Sequence, residues 1–217
     1  MMENAAPLLK NHYMELCSKK ELKVGIELEF PILNFNGLKP DEKIIHQLIV
    51  FIIEKLNFKA VKTDLNGRPI RFKSDMLEDH LSFEACFYIL EFSLEHNKSI
   101  FLIKKRFEFY YDAIQNYLSQ FGCLLACFGS NPYRWGREIA YLHTEFHRCA
   151  KRFIKTNRAD NLYNQRNNPC IMAALQLHVD VQYEDISDVL NVINGLSWFK
   201  AIYFSNSIFW NDAPDFS

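Results

Sequence analysis

Glycine and proline are scarce in this chain, seven of each in 217 residues. That argues against long flexible linkers and against low-complexity segments. No GxxxxGK[ST] or other glycine-rich phosphate loop is present, so a P-loop nucleotide site is excluded. The six cysteines form no CxxC pair, and no histidine pair accompanies them at zinc spacing. Cys123 and Cys127 stand in an apolar stretch, as buried thiols do. A basic start followed by an apolar run is also missing, so no signal peptide is read. The longest apolar stretches, near 44–53 and 121–129, are too short to span a bilayer. The formal net charge is −1, without the excess positive charge that would draw the chain to nucleic acid or an anionic membrane. These absences lead us to expect a cytoplasmic protein with neither kind of partner.

What remains is ordinary for a folded protein: 49% apolar and 24% charged residues, with aromatics at 15%. Length and composition suit one domain over residues 1–217. Residues 3–19 read as a helix. Residues 22–33 alternate as a strand. Asp41-Glu42 opens a helix to about Leu56, with an apolar stripe at 44, 45, 48, 49, 52 and 53. Asn66-Gly67 joins two strands as a hairpin. Residues 81–94 read as strand pieces with an irregular centre. A long helix follows from about 98 to 120, with Asn97 as its cap and Gly122 beyond its end. Further elements are a strand at 123–128, a helix at 138–155, a strand at 173–182 and a helix at 184–204. The fold class expected is α+β, with helices covering one face of a largely antiparallel sheet.

Parity along the strands carries the chemistry. Alternate side chains of a strand face opposite ways. In VGIELEF, Ile26, Leu28 and Phe30 share one face, while Glu27 and Glu29 share the other, about 7 Å apart. In YILEFS, Glu91 and Ser93 face away from Leu90 and Phe92, and Glu84 lies just upstream. In AALQLHVDVQ, Leu175, Leu177, Val179 and Val181 oppose Gln176, His178 and Asp180. One E-x-E on its own is ordinarily a solvated edge, and one strand histidine is ordinarily structural. Three such segments together place carboxylates where their mutual repulsion invites a divalent cation. Oxygen-rich donors favour Mg²⁺ or Mn²⁺ with phosphate oxygens completing the shell.

Five segments, in order, resemble the glutamate–cysteine ligases of the plant and proteobacterial type. VGIELEF is similar to their opening E-x-E strand, and SFEACFYILEFS to their S-x-E…F/L-E-L/F-S stretch. GCLLACFGSNPYRW resembles their strand ending in G-x-x-P-x-x-W, ALQLHVDVQYEDISDVLN their V-Q-V-N-L-D-F strand and helix, and YFSNSIFW their A-N-S-P-F segment. The resemblance implies a glutamine-synthetase-like catalytic sheet, ATP as cofactor, and glutamate and an amine such as cysteine as substrates, the chemistry of glutathione biosynthesis. It implies Glu27, Glu29, Glu84, Glu91 and His178 as metal ligands, and Gln176, Ser93, Arg152 and Asn206 near the substrate. Departures are visible. Ala85-Cys86-Phe87 stand where the family has Pro-Gly-Gly, and His178 where the plant-type enzymes have Asn. The family's Arg-Tyr pair falls near Phe146-His147, leaving Arg148, Lys151 and Arg152 as candidates for its charge. Family members continue past the A-N-S-P-F segment, so further strands and ATP contacts are expected from a missing C-terminal portion or from a partner, a homo-oligomer included. Two alternatives stay open: a ligase for another acid and amine, and a non-catalytic amino-acid- or metal-binding relative. A carboxylate-based nuclease is disfavoured by the absence of a basic stripe.

Overall fold

The computed structural model describes residues 22–133, 139, 141–156 and 172–199. The helix expected at 3–19, the Arg134-Trp135 end of GSNPYRW, and Asn206 with its YFSNSIFW segment lie outside these residues.

The fold is α+β. Seven strands form one sheet: β1 (Val24–Asn34), β2 (Phe58–Thr63), β3 (Pro69–Ser74), β4 (His80–Phe83), β5 (Ile89–Asn97), β6 (Cys123–Leu125) and β7 (Leu175–Val179). Their order is β2-β3-β4-β5-β1, and β6 and β7 share the remaining edge of β1. Every strand pair described is antiparallel. The helices are α1 (Glu42–Lys55), α2 (Ile100–Ser119), α3 (Glu145–Thr156) and α4 (Ile186–Gly195), the last preceded by a 3₁₀ turn at Tyr183–Asp185.

Local chemistry explains the boundaries. The Asp41 side chain accepts the Lys43 N–H at 2.8 Å, capping α1, and Glu42 complements the dipole in its first turn. Asp64 organises the β2–β3 turn by accepting the N–H groups of Asn66 and Arg68, both at 2.9 Å. Gly67 supplies the positive φ of 79° that this turn needs. Helix α2 starts later than the sequence suggests. Its N-cap is Ser99, while Asn97 ends β5 and accepts the Ser99 N–H at 3.0 Å, so an Asn turn precedes the helix instead of capping it. Helix α3 begins at Glu145, not near 138. Residues 142 and 143 are tied to other parts of the chain instead, by Leu142 N–H to Ala85 O and Leu65 N–H to His143 O, both at 2.7 Å.

The core lies on one face of the sheet. Phe30, Ile32, Phe58, Phe72, Leu81, Leu90 and Phe92 are buried there, against Ile45, Leu48, Ile49 and Ile52 of α1 and Ile103, Tyr110, Ile114 and Leu118 of α2. Strand β7 lies beyond this cover. Leu175, Leu177 and Val179, its expected apolar face, are 65%, 61% and 50% exposed. Among the described residues, no helix is long and apolar enough to cross a membrane.

Candidate functional site

The face of the sheet opposite the core carries the polar side chains, and strand register arranges them in two rows. The first row runs Arg71, Ser82, Glu91, Glu29 across β3, β4, β5 and β1. The second runs Lys73, His80, Ser93, Glu27, Gln176 across β3, β4, β5, β1 and β7. His178 pairs with Gly25 one step further along β1. A Cβ on Gly25 would lie 3.4 Å from the His178 Cβ and 3.5 Å from the His96 Cβ, in ordinary contact, so both histidines flank this end of β1.

Glu29 and Glu91 stand directly opposite each other, and both are held in place. The Ala174 N–H donates to Glu29 Oε2 at 2.9 Å, and the Glu29 N–H donates to Ala174 O at 2.9 Å. Glu91 Oε1 accepts from Ser82 Oγ at 3.2 Å and from Ser93 Oγ. Glu27 lies 3.6 Å from His178 Nε2, an ion pair whenever that imidazole is protonated. Glu84 follows β4 in the five-residue loop to β5, where Ala85 takes a positive φ of 57°. The left-handed turn is therefore made without the glycines of the ligases it resembles.

Crowding of acids shifts their ionisation. Burial pushes the Glu84 carboxyl up to about 7, followed by the charge of Glu91, a hydrogen bond with it, and the charges of Glu29 and Glu27. Burial also raises Glu29, with Glu91 and Glu27 adding to the rise and the Ala174 N–H opposing it. Such a set of like charges is the electrostatic signature of a cation site or an acid–base site. Its donors are hard oxygens, which suit Mg²⁺ or Mn²⁺. Among the described residues no three His, Cys, Asp or Glu side chains converge into a metal-holding group. Magnesium needs fewer, because it keeps several waters and takes one or two carboxylates. The facing pair Glu29 and Glu91 therefore fits such an ion, with Glu27 and Glu84 as neighbours.

Of the residues expected at the site, the sheet brings Glu27, Glu29, Glu91, Ser93, Gln176 and His178 onto one face by register, and Glu84 joins them through its interactions with Glu91 and Glu29. Arg152 is exposed on α3, off the sheet. Arg148 pairs with Glu145 at 2.8 Å within the same helix. Asp180 extends the polar side of β7 and accepts the Lys23 N–H at 3.2 Å.

Four polar residues of this face escaped the reading of the sequence: Arg71 and Lys73 on β3, His80 and Ser82 on β4. The signal was present in PIRFKS, where Ile70 and Phe72 alternate with Arg71 and Lys73. Burial lowers the His80 imidazole, and the charges of Arg71 and Lys73 lower it further. The face is thus acidic at its centre and basic towards the β2–β3 edge.

The chain matches no protein-family model and no curated protein. The likeness to glutamate–cysteine ligases accordingly rests on the short sequence segments themselves.

Proposed function

We propose that this chain supplies the cation-binding sheet of an ATP-dependent carboxylate–amine ligase of the glutamate–cysteine ligase kind, on a glutamine-synthetase-like fold. The observation that carries the reading is the placement of Glu27, Glu29 and Glu91 on the face of an antiparallel sheet opposite the core, joined by Glu84 at the end of β4. The reaction is amide formation between the γ-carboxylate of glutamate and an amine such as cysteine. ATP transfers its terminal phosphoryl group to the carboxylate, giving ADP and an acyl phosphate. The amine then attacks the acyl carbon, phosphate leaves, and the amine's surplus proton is lost.

In this scheme Glu29 and Glu91 hold Mg²⁺ or Mn²⁺ together with water and phosphate oxygens, and Glu27, Glu84 and His178, which the resemblance implies as further ligands, stand as their neighbours. A divalent cation bound there would offset the negative charge that grows on the phosphoryl group during transfer. Ser82 and Ser93 fix one oxygen of Glu91, and the Ala174 N–H fixes one oxygen of Glu29, so both carboxylates are oriented before any ligand arrives. Gln176, Ser93, Asn206 and Arg152 are assigned to the substrate.

The test is ADP release in the presence of ATP, Mg²⁺ and L-glutamate, scanning cysteine and other amines, on this chain and on any longer natural version. Amine-dependent ADP release supports the ligase and names the amine. Mg²⁺ or glutamate binding with no turnover in either version supports the non-catalytic relative. Glu29→Gln tests the cation site separately: unchanged Mg²⁺-dependent nucleotide binding would remove that assignment.

A further inference from the structure

A cleft of about 350 Å³ opens where α1, the β2–β3 turn and the β4–β5 loop meet. That volume falls among small-molecule sites, which run roughly 300–1,000 Å³. None of the sheet-face carboxylates lines it. Ile45 and Ile49 contribute apolar surface from one face of α1, and the rings of Phe87 and Tyr88 contribute the β4–β5 loop.

Two cations sit over those rings. The Arg68 guanidinium lies 3.8 Å from the centre of the Phe87 ring, and Lys39 Nζ lies 5.4 Å from the centre of the Tyr88 ring. Arg68 is already balanced by the buried Asp64 carboxylate at 3.7 Å. That leaves Lys39 as the positive charge at the cleft and Glu42, three residues on at the start of α1, as its negative counterpart. Among the described residues neither of the two has an ion-pair partner. A half-apolar pocket that presents the Lys39 cation and the Glu42 anion, with Arg68 already paired and His46 at its lining, complements a ligand with an apolar part and both charges. A simple anion would meet Glu42, and a simple cation would meet Lys39 and Arg68.

We infer that this cleft binds a free amino acid with an aliphatic or aromatic side chain, its carboxylate towards Lys39, its ammonium towards Glu42 and its side chain against Ile45, Ile49 and Tyr88. The inference stands on the cleft alone and does not depend on the ligase reading of the sheet face. The cleft and the carboxylate face are nevertheless joined, because Glu84 and Tyr88 are the two ends of one loop, closed by the Glu84 N–H to Ile89 O bond at 3.0 Å.

Calorimetric titration of the full chain with L-phenylalanine and L-leucine tests the site, without ATP or metal. Phenethylamine and 3-phenylpropanoate, each lacking one charged end, serve as comparisons, and L-glutamate as the polar control. Saturable binding of at least one of the two amino acids is expected, with the single-charge analogues and glutamate weaker by about tenfold or more. Lys39→Glu and Glu42→Lys change exposed side chains and are expected to keep the fold, checked by circular dichroism. Lys39→Glu should weaken amino-acid binding about tenfold while leaving phenethylamine no weaker, and Glu42→Lys should do the same while sparing 3-phenylpropanoate. The proposal is overturned if neither amino acid binds at millimolar concentration, if glutamate binds as well as they do, or if both charge variants bind normally. Loss of binding in Glu29→Gln, with Lys39→Glu unaffected, would move the ligand to the sheet face and equally overturn it.

Discussion

Glu29 of β1 and Glu91 of β5 are direct cross-strand neighbours in an antiparallel ladder. Side chains so placed start from Cβ atoms about 4.5–5.5 Å apart, where like charges destabilise a sheet. The serine hydroxyls on Glu91 and the Ala174 N–H on Glu29 offset part of that repulsion; the Glu29 carboxyl is raised first by burial, with the charge of Glu91 adding to the rise.

Neutralising one member should therefore stabilise the metal-free protein. Glu91→Gln keeps an oxygen for the two serine donors and removes the charge. We expect a gain of about 0.2–1 kcal/mol, or a rise of about 1–3 °C in melting temperature. Added Mg²⁺ should raise the melting temperature of the original chain more than that of the variant. Thermal denaturation with and without Mg²⁺ checks both, and a variant less stable than the original would show that Glu91 is held chiefly by its hydrogen bonds.

Glu84 gives the molecule a pH dependence of defined sign. Its carboxyl is raised from 4.5 to about 7 by burial and by Glu91, Glu29 and Glu27. The folded state therefore binds this proton more tightly than the unfolded chain does. The resulting stability is present below about pH 4.5 and is lost as pH rises through about 7. Glu84 meets solvent along part of its surface, so screening reduces the effect to the order of 1 kcal/mol. Urea unfolding at pH 5 and pH 8 should show the loss, and Glu84→Gln should flatten the difference. An unchanged slope in the variant would assign the dependence to Glu29, which shifts in the same direction.

Much of this arrangement could be read before the fold was known, because parity is a local property. VGIELEF, YILEFS and LQLHV each separate an apolar face from a polar one whatever their partners are. Register is not local. That Glu29 meets Glu91, and Glu27 meets Ser93, depends on the β4–β5 loop and on the irregular pairing between Val24 and Ile26, where β5 carries one extra residue. The start of α3 was misread for a related reason. Leu142 and His143 bond to the Ala85 loop and the β2–β3 turn, contacts that no periodicity records. Arg71, Lys73, His80 and Ser82 were legible by the same parity rule, applied to strands that had drawn notice only as a hairpin.

Asp79 should prove costly to remove although no functional reading uses it. It is fully buried, accepts the Glu95 N–H at 2.7 Å and the Tyr110 hydroxyl at 3.2 Å, and lies 3.6 Å from Arg106. It ties the residues before β4 to β5 and α2. Asp79→Ala leaves Arg106 and the Tyr110 hydroxyl without that acceptor, at an expected cost of about 3 kcal/mol. Tyr110→Phe removes one donor and should cost about 1 kcal/mol. Chemical denaturation of the two single variants and the double variant measures the coupling. Additive losses would mean that the hydroxyl and the carboxylate act independently.

The basic edge of the sheet face yields the prediction that bears most directly on nucleotide binding. Arg71 shares a row with Glu91 and Glu29, three strand spacings from Glu29, or roughly 14 Å at about 4.8 Å per strand. A triphosphate coordinated through a cation at the carboxylates could extend along that row, leaving negative charge beside Arg71. Lys73 is less available, because Glu78 holds it at 2.7 Å. Arg71→Ala should therefore weaken Mg²⁺–ATP binding about tenfold, the loss of one charge-assisted hydrogen bond of about 1.5 kcal/mol. Lys73→Ala should weaken it less. Arg71 is exposed, so its replacement should leave the melting temperature of the nucleotide-free protein almost unchanged. Fluorescence titration with a labelled ATP analogue, repeated at high and low salt, separates a contact from general attraction. A loss that disappears at high salt would make Arg71 a source of long-range field only, and equal losses for Arg71→Ala and Lys73→Ala would place the phosphates elsewhere on the face.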